Sequence, residues 1–378
     1  MSLLRKYASI LIPLTVFLLA SLFAWWIAGA GNCWSGGFHP DCWVRWDSAL
    51  YMQIAEQGHT LFYCGPEQGY PEGAKDWCGN SGWAVLYPFL MFLVSKISGW
   101  TLAVSGIALS KLFFLGYLIV VARLLEIKDL NPRNWILIGI AAFCPGSIYF
   151  HAVFPISLVA FCISLLILFL KQEKYVAAGI TGFFAVLAYS TGFFLLLVLA
   201  LFGLVLWRQK HPKLMRYLIY TCGLSGLALI GLFSYDYWAT GHWDALFKIQ
   251  GKYGHGIQSP FKMFAGHWEL LMKRPFTLLH WSEIQNMVMI IYISVLIWTA
   301  YRKYSRPFHL FFSLFLLIFW FLPYSISLQV SLYRNAAVLG AGHTVADKLP
   351  TWALVLVLLS FLGLSYPLGI LFIQSTII

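Results

Sequence analysis

The sequence predicts an all-α, polytopic membrane protein, and three observations carry that prediction. Apolar residues make up 60% of its 378 residues, and only 10% are charged. Apolar runs recur at roughly the 17–25 residues that a bilayer core demands of a helix. The strict apolar/polar alternation of a lipid-facing β-barrel is absent. Backbone polar groups in hydrocarbon must be satisfied within their own segment, so the runs are read as helices.

The first run, 8–30, is too long for the apolar core of a signal peptide and lacks a small-residue cleavage site, so it is read as a retained helix. Further spans are expected at 102–124, 134–151, 154–171, 175–191, 193–207, 215–236, 286–302, 308–328 and 351–373. That makes about ten and puts both termini on one side. Several are short and meet at Pro or Gly, as at Cys144-Pro145-Gly146, Phe154-Pro155 and Thr191-Gly192. Such junctions suit broken helices that meet part-way through the bilayer.

Lys and Arg accumulate in short cytoplasmic loops. With the N-terminus inside, fourteen of the 25 Lys and Arg fall on the inner segments, opposed by Glu126, Asp129 and Glu173 alone. The outer side then carries eleven basic against eleven acidic residues, which is no excess. The net charge of +11 is therefore a topology signal, and no nucleic-acid partner is called for. The same rule makes "GWAVLYPFLMFLVSKISG", 82–99, a helix in the outer interface, because counting it as a span would invert every later loop. The chain is read as one integral membrane domain, 1–378, with long outer loops at 31–100 and 237–285 and a shorter one near 329–350.

Cys33, Cys42, Cys64 and Cys78 all fall in the first outer loop. Four Cys in an oxidising compartment suggest two disulfides; three pairings exist, and the nearest-neighbour one, Cys33 with Cys42 and Cys64 with Cys78, is expected. Zinc is the rival reading, but no C-x-x-C spacing is present. The ten His are scattered without H-x-x-x-H or H-E-x-x-H spacing, so no metal site is predicted, while a divalent metal is left open.

In the first outer loop, "CWVRWDSALYMQIAEQGH" places an Arg, two carboxylates and large aromatics just after the first span. Asp47 is a good helix N-cap, Trp46 and Tyr51 are spaced for a hydrophobic staple, and Gly58 is a natural terminator. A short helix lying on the outer surface is expected. Asp47 is thus either a plain cap or a reactive carboxylate, and the roles are compatible.

The segment Arg45-Trp46-Asp47-Ser48, followed by Tyr51, Ile54-Ala55, Gly58 and the partial match Val85-Leu86-Tyr87-Pro88, resembles the PIG-V family and its bacterial relatives. That family supplies the second mannosyltransferase of glycosylphosphatidylinositol assembly and belongs to the GT-C membrane glycosyltransferases. Fainter likenesses follow in "CPGSIYFHAVFPISLVAF", "LAYSTGFFLLL", "YDYWATGHWDALFKIQGKYG" and "LYRNAAV". Departures are His59 where an aromatic is usual, no acidic residue near Ile156, and no Arg at Tyr189 or Ser190.

The resemblance implies a GT-C fold and an inverting, polyprenyl-phosphate-dependent hexosyltransferase, most simply a mannosyltransferase, acting on a lipid or glycan acceptor. It implies Asp47 as the general base, since an acceptor hydroxyl must lose its proton as it attacks the anomeric carbon. Glu56 reads as a solvated charge. The departing lipid phosphate calls for a cation: Arg334 is the first candidate, Lys252 the second, with Arg45 and His151 also in reach of the outer side, each alternatively an ordinary interfacial or helix-end residue. Trp46, Tyr51, Gln250 and Tyr333 are candidates for the substrate pocket. No cofactor is implied, and the site would face the periplasm or the endoplasmic reticulum lumen. The rivals are a transporter or lipid-sugar flippase and a non-catalytic subunit of the same fold. A transporter should carry ionisable groups at mid-span, and Lys111 and Asp236 come closest.

Overall fold

A computed structural model describes residues 7–33, 39–251, 258–273, 280–303, 308–325 and 332–376. The chain is an all-α membrane protein. Helices α1 (Ala8–Ala30), α2 (Ser48–Gln57), α3 (Leu86–Ser98), α4 (Leu102–Leu124), α5 (Pro132–Ala142), α6 (Ile156–Lys171), α7 (Tyr175–Ala188) and α8 (Phe193–Arg208) make up its first half. There follow α9 (Leu214–Thr240), which contains a π-helical stretch, α10 (Ala245–Gly251), α11 (Pro260–Lys273), α12 (His280–Lys303), α13 (Phe308–Tyr324), α14 (Leu332–Val338) and α15 (Thr351–Ile373). Six segments among the described residues are long and apolar enough to cross a membrane: α1, α4, Ser190–Arg208, α9, most of α12, and α15.

The sequence reading places α1, α4 and α15 to the residue. The two short helices expected in the first loop are present, with α2 and α3 packed on each other and on α4. Both nearest-neighbour disulfides are present, Cys33–Cys42 and Cys64–Cys78. The second closes a two-stranded hairpin, β1 (Leu61–Tyr63) against β2 (Trp77–Gly79), with Phe62 opposite Cys78.

The predicted junctions are breaks. After α5 the chain turns through Gly146 into a 3-10 turn, Ser147–Phe150, before α6 begins. Gly146 has φ +84°, and a Cβ there would sit 2.0 Å from the Tyr333 carbonyl oxygen, so this position admits only glycine. α7 and α8 are likewise separated by a turn at Ser190–Gly192.

The segment near 329–350, expected as an outer loop, runs in the structure from one end of the helical bundle to the other, and α15 lies parallel to α1 where an even number of passes would make it antiparallel. Arg334, on α14, contacts Asp47. At the far end of the same segment, Arg133 donates to the carbonyls of Asp347 and Leu349 at 2.6 Å and to the Thr351 hydroxyl at 2.9 Å. That far end is the basic one, where Lys171 pairs with Glu126 at 2.7 Å and Lys213 with Glu173. So 332–348 passes through the bundle, as α14 and then a 3-10 helix, Gly340–Lys348. Seven α and nine 3-10 residues rise roughly 28 Å, about a hydrocarbon thickness. Irregular backbone at that depth is tolerated because protein surrounds it: every described residue from Tyr333 to Ala346 except Arg334 is buried. His343 is satisfied by the Tyr292 hydroxyl at 3.1 Å and the Ala336 carbonyl at 3.2 Å.

α15 therefore runs parallel to α1. Gly31 packs on Ile373, Gly369 on Ile27, and Trp26 stacks on Tyr366. Reporter fusions before residue 7 and after residue 376 are expected to report opposite sides of the membrane, and protease protection of both tags on one side would refute this path.

Candidate functional site

Asp47 ends an unusual approach. Trp46 has φ +52°, a left-handed conformation that costs a bulky residue free energy and persists only where its surroundings enforce it. The chain then enters α2, with the Tyr51 N–H donating to the Asp47 carbonyl at 3.0 Å. The Asp47 carboxylate does not cap the helix, contrary to the sequence reading. Its Oδ2 accepts from Arg334 Nη1 at 2.6 Å, across 287 residues of sequence. Asp47 has αR backbone angles, φ −61° and ψ −11°, where a capping residue is usually extended, and its carboxylate pairs with the guanidinium instead. The side chains are 21% and 11% exposed, so the pair is neither sealed nor open.

The broken helices supply its walls. The Arg334 guanidinium lies over the rings of Tyr149 and Phe154, 5.6 and 5.7 Å from their centroids, both from the α5–α6 connection. Tyr189, at the α7–α8 break, bonds to Arg334 through its hydroxyl. The Tyr149 hydroxyl donates to that of Tyr333 at 2.6 Å. Tyr51 is fully buried, edge-on to Tyr87 and Phe154. Burial, with Tyr189 and Asp47 adding to it and Arg334 opposing, pushes the Tyr51 phenol well above its ordinary range, so it stays a neutral hydroxyl. The Tyr51 Oη and Trp46 Nε1 atoms are buried without a hydrogen-bond partner among the described residues. Buried polar atoms left over beside an ion pair are what a ligand-facing wall presents.

The structure thus brings together Asp47, Arg334, Tyr333, Tyr51 and Trp46. It places the other candidates elsewhere. Arg45 donates from Nε to the Ile373 carbonyl at 2.8 Å and from Nη1 to the carbonyls of Val44 and Asp41, so it ties the first loop to the end of α15. Burial lowers its pKa, against a smaller opposing effect of Asp41. His151 is buried against Trp43 and Phe114, its Nδ1 without a partner among the described residues. Gln250 Nε2 donates to the Gly82 carbonyl at 3.2 Å and fastens α10 to the first loop. Lys252 lies outside the described residues. No group of three or more His, Cys, Asp or Glu is gathered among the described residues.

A cavity of about 950 Å³ adjoins this site without including the ion pair. Its walls are the C-terminal half of α2 from Ile54, the start of α3 with Phe89 and Phe92, and α9 with Leu232, Tyr235 and Trp238. At 1.5 Å per residue, Ile54 lies roughly 10 Å along α2 from Asp47. The lining is largely apolar, so the cavity suits a hydrocarbon chain, whereas the charged groups gather at the ion pair.

Sequence reasoning missed one buried pair here. His59, on the cavity wall, bonds through Nδ1 to Asp236 Oδ1 at 2.6 Å, both side chains fully buried. Its Nε2 meets the Trp83 carbonyl at 3.0 Å. A carbonyl only accepts, so Nε2 is the donor in that bond. The pair latches the first loop to the end of α9. His59→Ala strands a buried carboxylate and is expected to cost roughly 3–5 kcal/mol, with the His59→Ala/Asp236→Ala double variant recovering part of it. Thermal unfolding in detergent checks this; an unmoved midpoint in the single variant would deny the latch any weight.

No family model matches the chain, and no curated protein is significantly similar to it.

Proposed function

We propose that the protein is an inverting membrane glycosyltransferase of the GT-C type, moving a hexose, most simply mannose, from a polyprenyl-phosphate donor to a lipid or glycan acceptor. The observation that carries the reading is the direct contact of Asp47 with Arg334. The two candidates for base and phosphate-binding cation, far apart in sequence, share one partly exposed spot beside an apolar cavity of about 950 Å³.

In this reading the lipid chain occupies the cavity and its phosphate meets Arg334. A guanidinium has five donors, so Arg334 can hold Asp47 and a phosphate oxygen together and fix their separation. Asp47 accepts the proton of the acceptor hydroxyl as that oxygen bonds to the anomeric carbon. The bond from that carbon to the phosphate oxygen breaks, and its electrons leave on the lipid phosphate, where Arg334 offsets the charge. A single displacement inverts the configuration and needs no second carboxylate, which agrees with the exposed position of Glu56. The acceptor and the reacting face lie on the extracytoplasmic side, periplasmic or lumenal. Transfer from a labelled polyprenyl-phosphate hexose, measured in membranes with wild-type protein and with Asp47→Asn, tests the reading.

A further inference from the structure

α11 carries three kinds of side chain on three faces. At about 100° per residue, Met263 and His267, which are buried, and Leu270 and Leu271, which are half-buried, fall within an arc of about 100°. Beside it, Phe261, Phe264, Trp268 and Met272, all exposed, fill an arc of about 80° that holds no polar residue. Lys262, Gly266, Glu269 and Lys273 share the remaining side, and Glu269 pairs with Lys273 at 2.5 Å.

The inward face fixes how the helix sits, packed on α12 and α13. His267 Nδ1 bonds to Glu283 Oε2 at 2.5 Å, and its ring stacks on Tyr324 with centroids 5.4 Å apart. Just ahead of the helix, the Gln258 N–H donates to the Ser325 carbonyl at 2.7 Å. α12 begins at His280 and α13 ends at Tyr324, so α11 lies where those two helices reach one boundary of the bundle. From that boundary α12 is long and apolar enough to cross a membrane.

The apolar strip is uncovered within the chain: Phe261 is 86% and Met272 65% exposed. Phe264 and Trp268 stack with centroids 6.5 Å apart, so the strip is continuous and is a poor neighbour for water. A patch that docks protein is rimmed by polar residues, whereas here one edge of the strip runs on into the apolar inward face and only the other edge is polar. A helix lying flat in a membrane surface has that layout, with one side on the bundle, one on acyl chains and one toward water. We propose that α11 is such an in-plane helix, and that its partner is the phospholipid leaflet at that boundary. The strip from Phe261 to Met272 lies among the acyl chains, and Lys262 and Lys273, on the water side, reach the lipid phosphates. In that position the helix fixes the depth at which α12 starts, whatever reaction the ion pair performs.

Spin labels on single Cys residues, introduced into the full-length protein in vesicles of phosphatidylcholine and phosphatidylglycerol, test the placement. Phe264→Cys, Trp268→Cys and Met272→Cys report the strip, and Lys262→Cys and Glu269→Cys the polar side; all five positions are exposed, so the fold is expected to survive each change. Signal from the unsubstituted chain, which has free thiols at Cys144, Cys162 and Cys222, is subtracted. Oxygen concentrates among acyl chains and a nickel chelate stays in water, so relaxation by oxygen is expected to exceed that by the chelate about threefold or more on the strip, with the order reversed on the polar side. Chelate dominance at all five positions would put the helix in water and overturn the proposal. Exclusion of both reagents from the strip would overturn it in favour of a protein cover, such as a second copy of this chain. Oxygen dominance on both sides would overturn the in-plane placement.

Discussion

Asp47→Asn is expected to abolish sugar transfer, by roughly 10²–10⁴-fold, while leaving expression and membrane insertion intact. The substitution keeps the shape of the side chain and removes its ability to take a proton. It also leaves Arg334, 11% exposed, without its anion, so some loss of stability is expected alongside. Asp47→Glu separates the effects: it restores charge to Arg334 but moves the carboxylate by about one methylene, so stability should recover further than activity. Transfer of a labelled hexose from a polyprenyl-phosphate donor, normalised to protein in the membrane, measures the first, and thermal unfolding in detergent the second. Full transfer by Asp47→Asn would remove that carboxylate from the chemistry.

Arg334→Ala is expected to be nearly as damaging, with kcat/KM down roughly 10²–10³-fold and a raised KM for the lipid-linked donor. Arg334→Lys retains a point charge but loses the fork that can hold a carboxylate and a phosphate together, and is expected to recover only part of the loss. Because the groups touch at 2.6 Å, their effects should not add. The Asp47→Asn/Arg334→Ala variant should be little worse than the poorer single one. An unchanged donor KM in Arg334→Ala would exclude that guanidinium from the phosphate site, and additive losses would mean the residues act apart.

Much of this arrangement was legible beforehand, for identifiable reasons. α1, α4 and α15 are continuous apolar runs of 23 residues, and length alone marks them. The disulfides follow from four Cys crowded into one loop. Asp47 and Arg334 stood out separately through their motifs, and only the fold shows that they touch. The cap was misjudged because local sequence shows neither the backbone angles at Asp47 nor a distant guanidinium. The pass through 332–348 escaped notice because it holds Asn335, His343, Thr344 and two Gly, which look like loop, and because moving Asp347 and Lys348 together to the other end leaves the charge balance unchanged. His59 and Asp236 each looked ordinary, and only the fold makes them a pair. Tyr189, one of the two positions where the resemblance implies an Arg, bonds through its hydroxyl to Arg334.

Arg45 gripping the Ile373 carbonyl has a bearing on how the protein is made. The loop bearing Asp47 leaves the ribosome early, yet both its cationic partner on α14 and the helix end that anchors its neighbour emerge almost last. Until α14 and α15 are in place, α4, α9 and α10 hold only the far part of that loop, and its Arg45–Asp47 end waits for its partners through nearly the whole of translation.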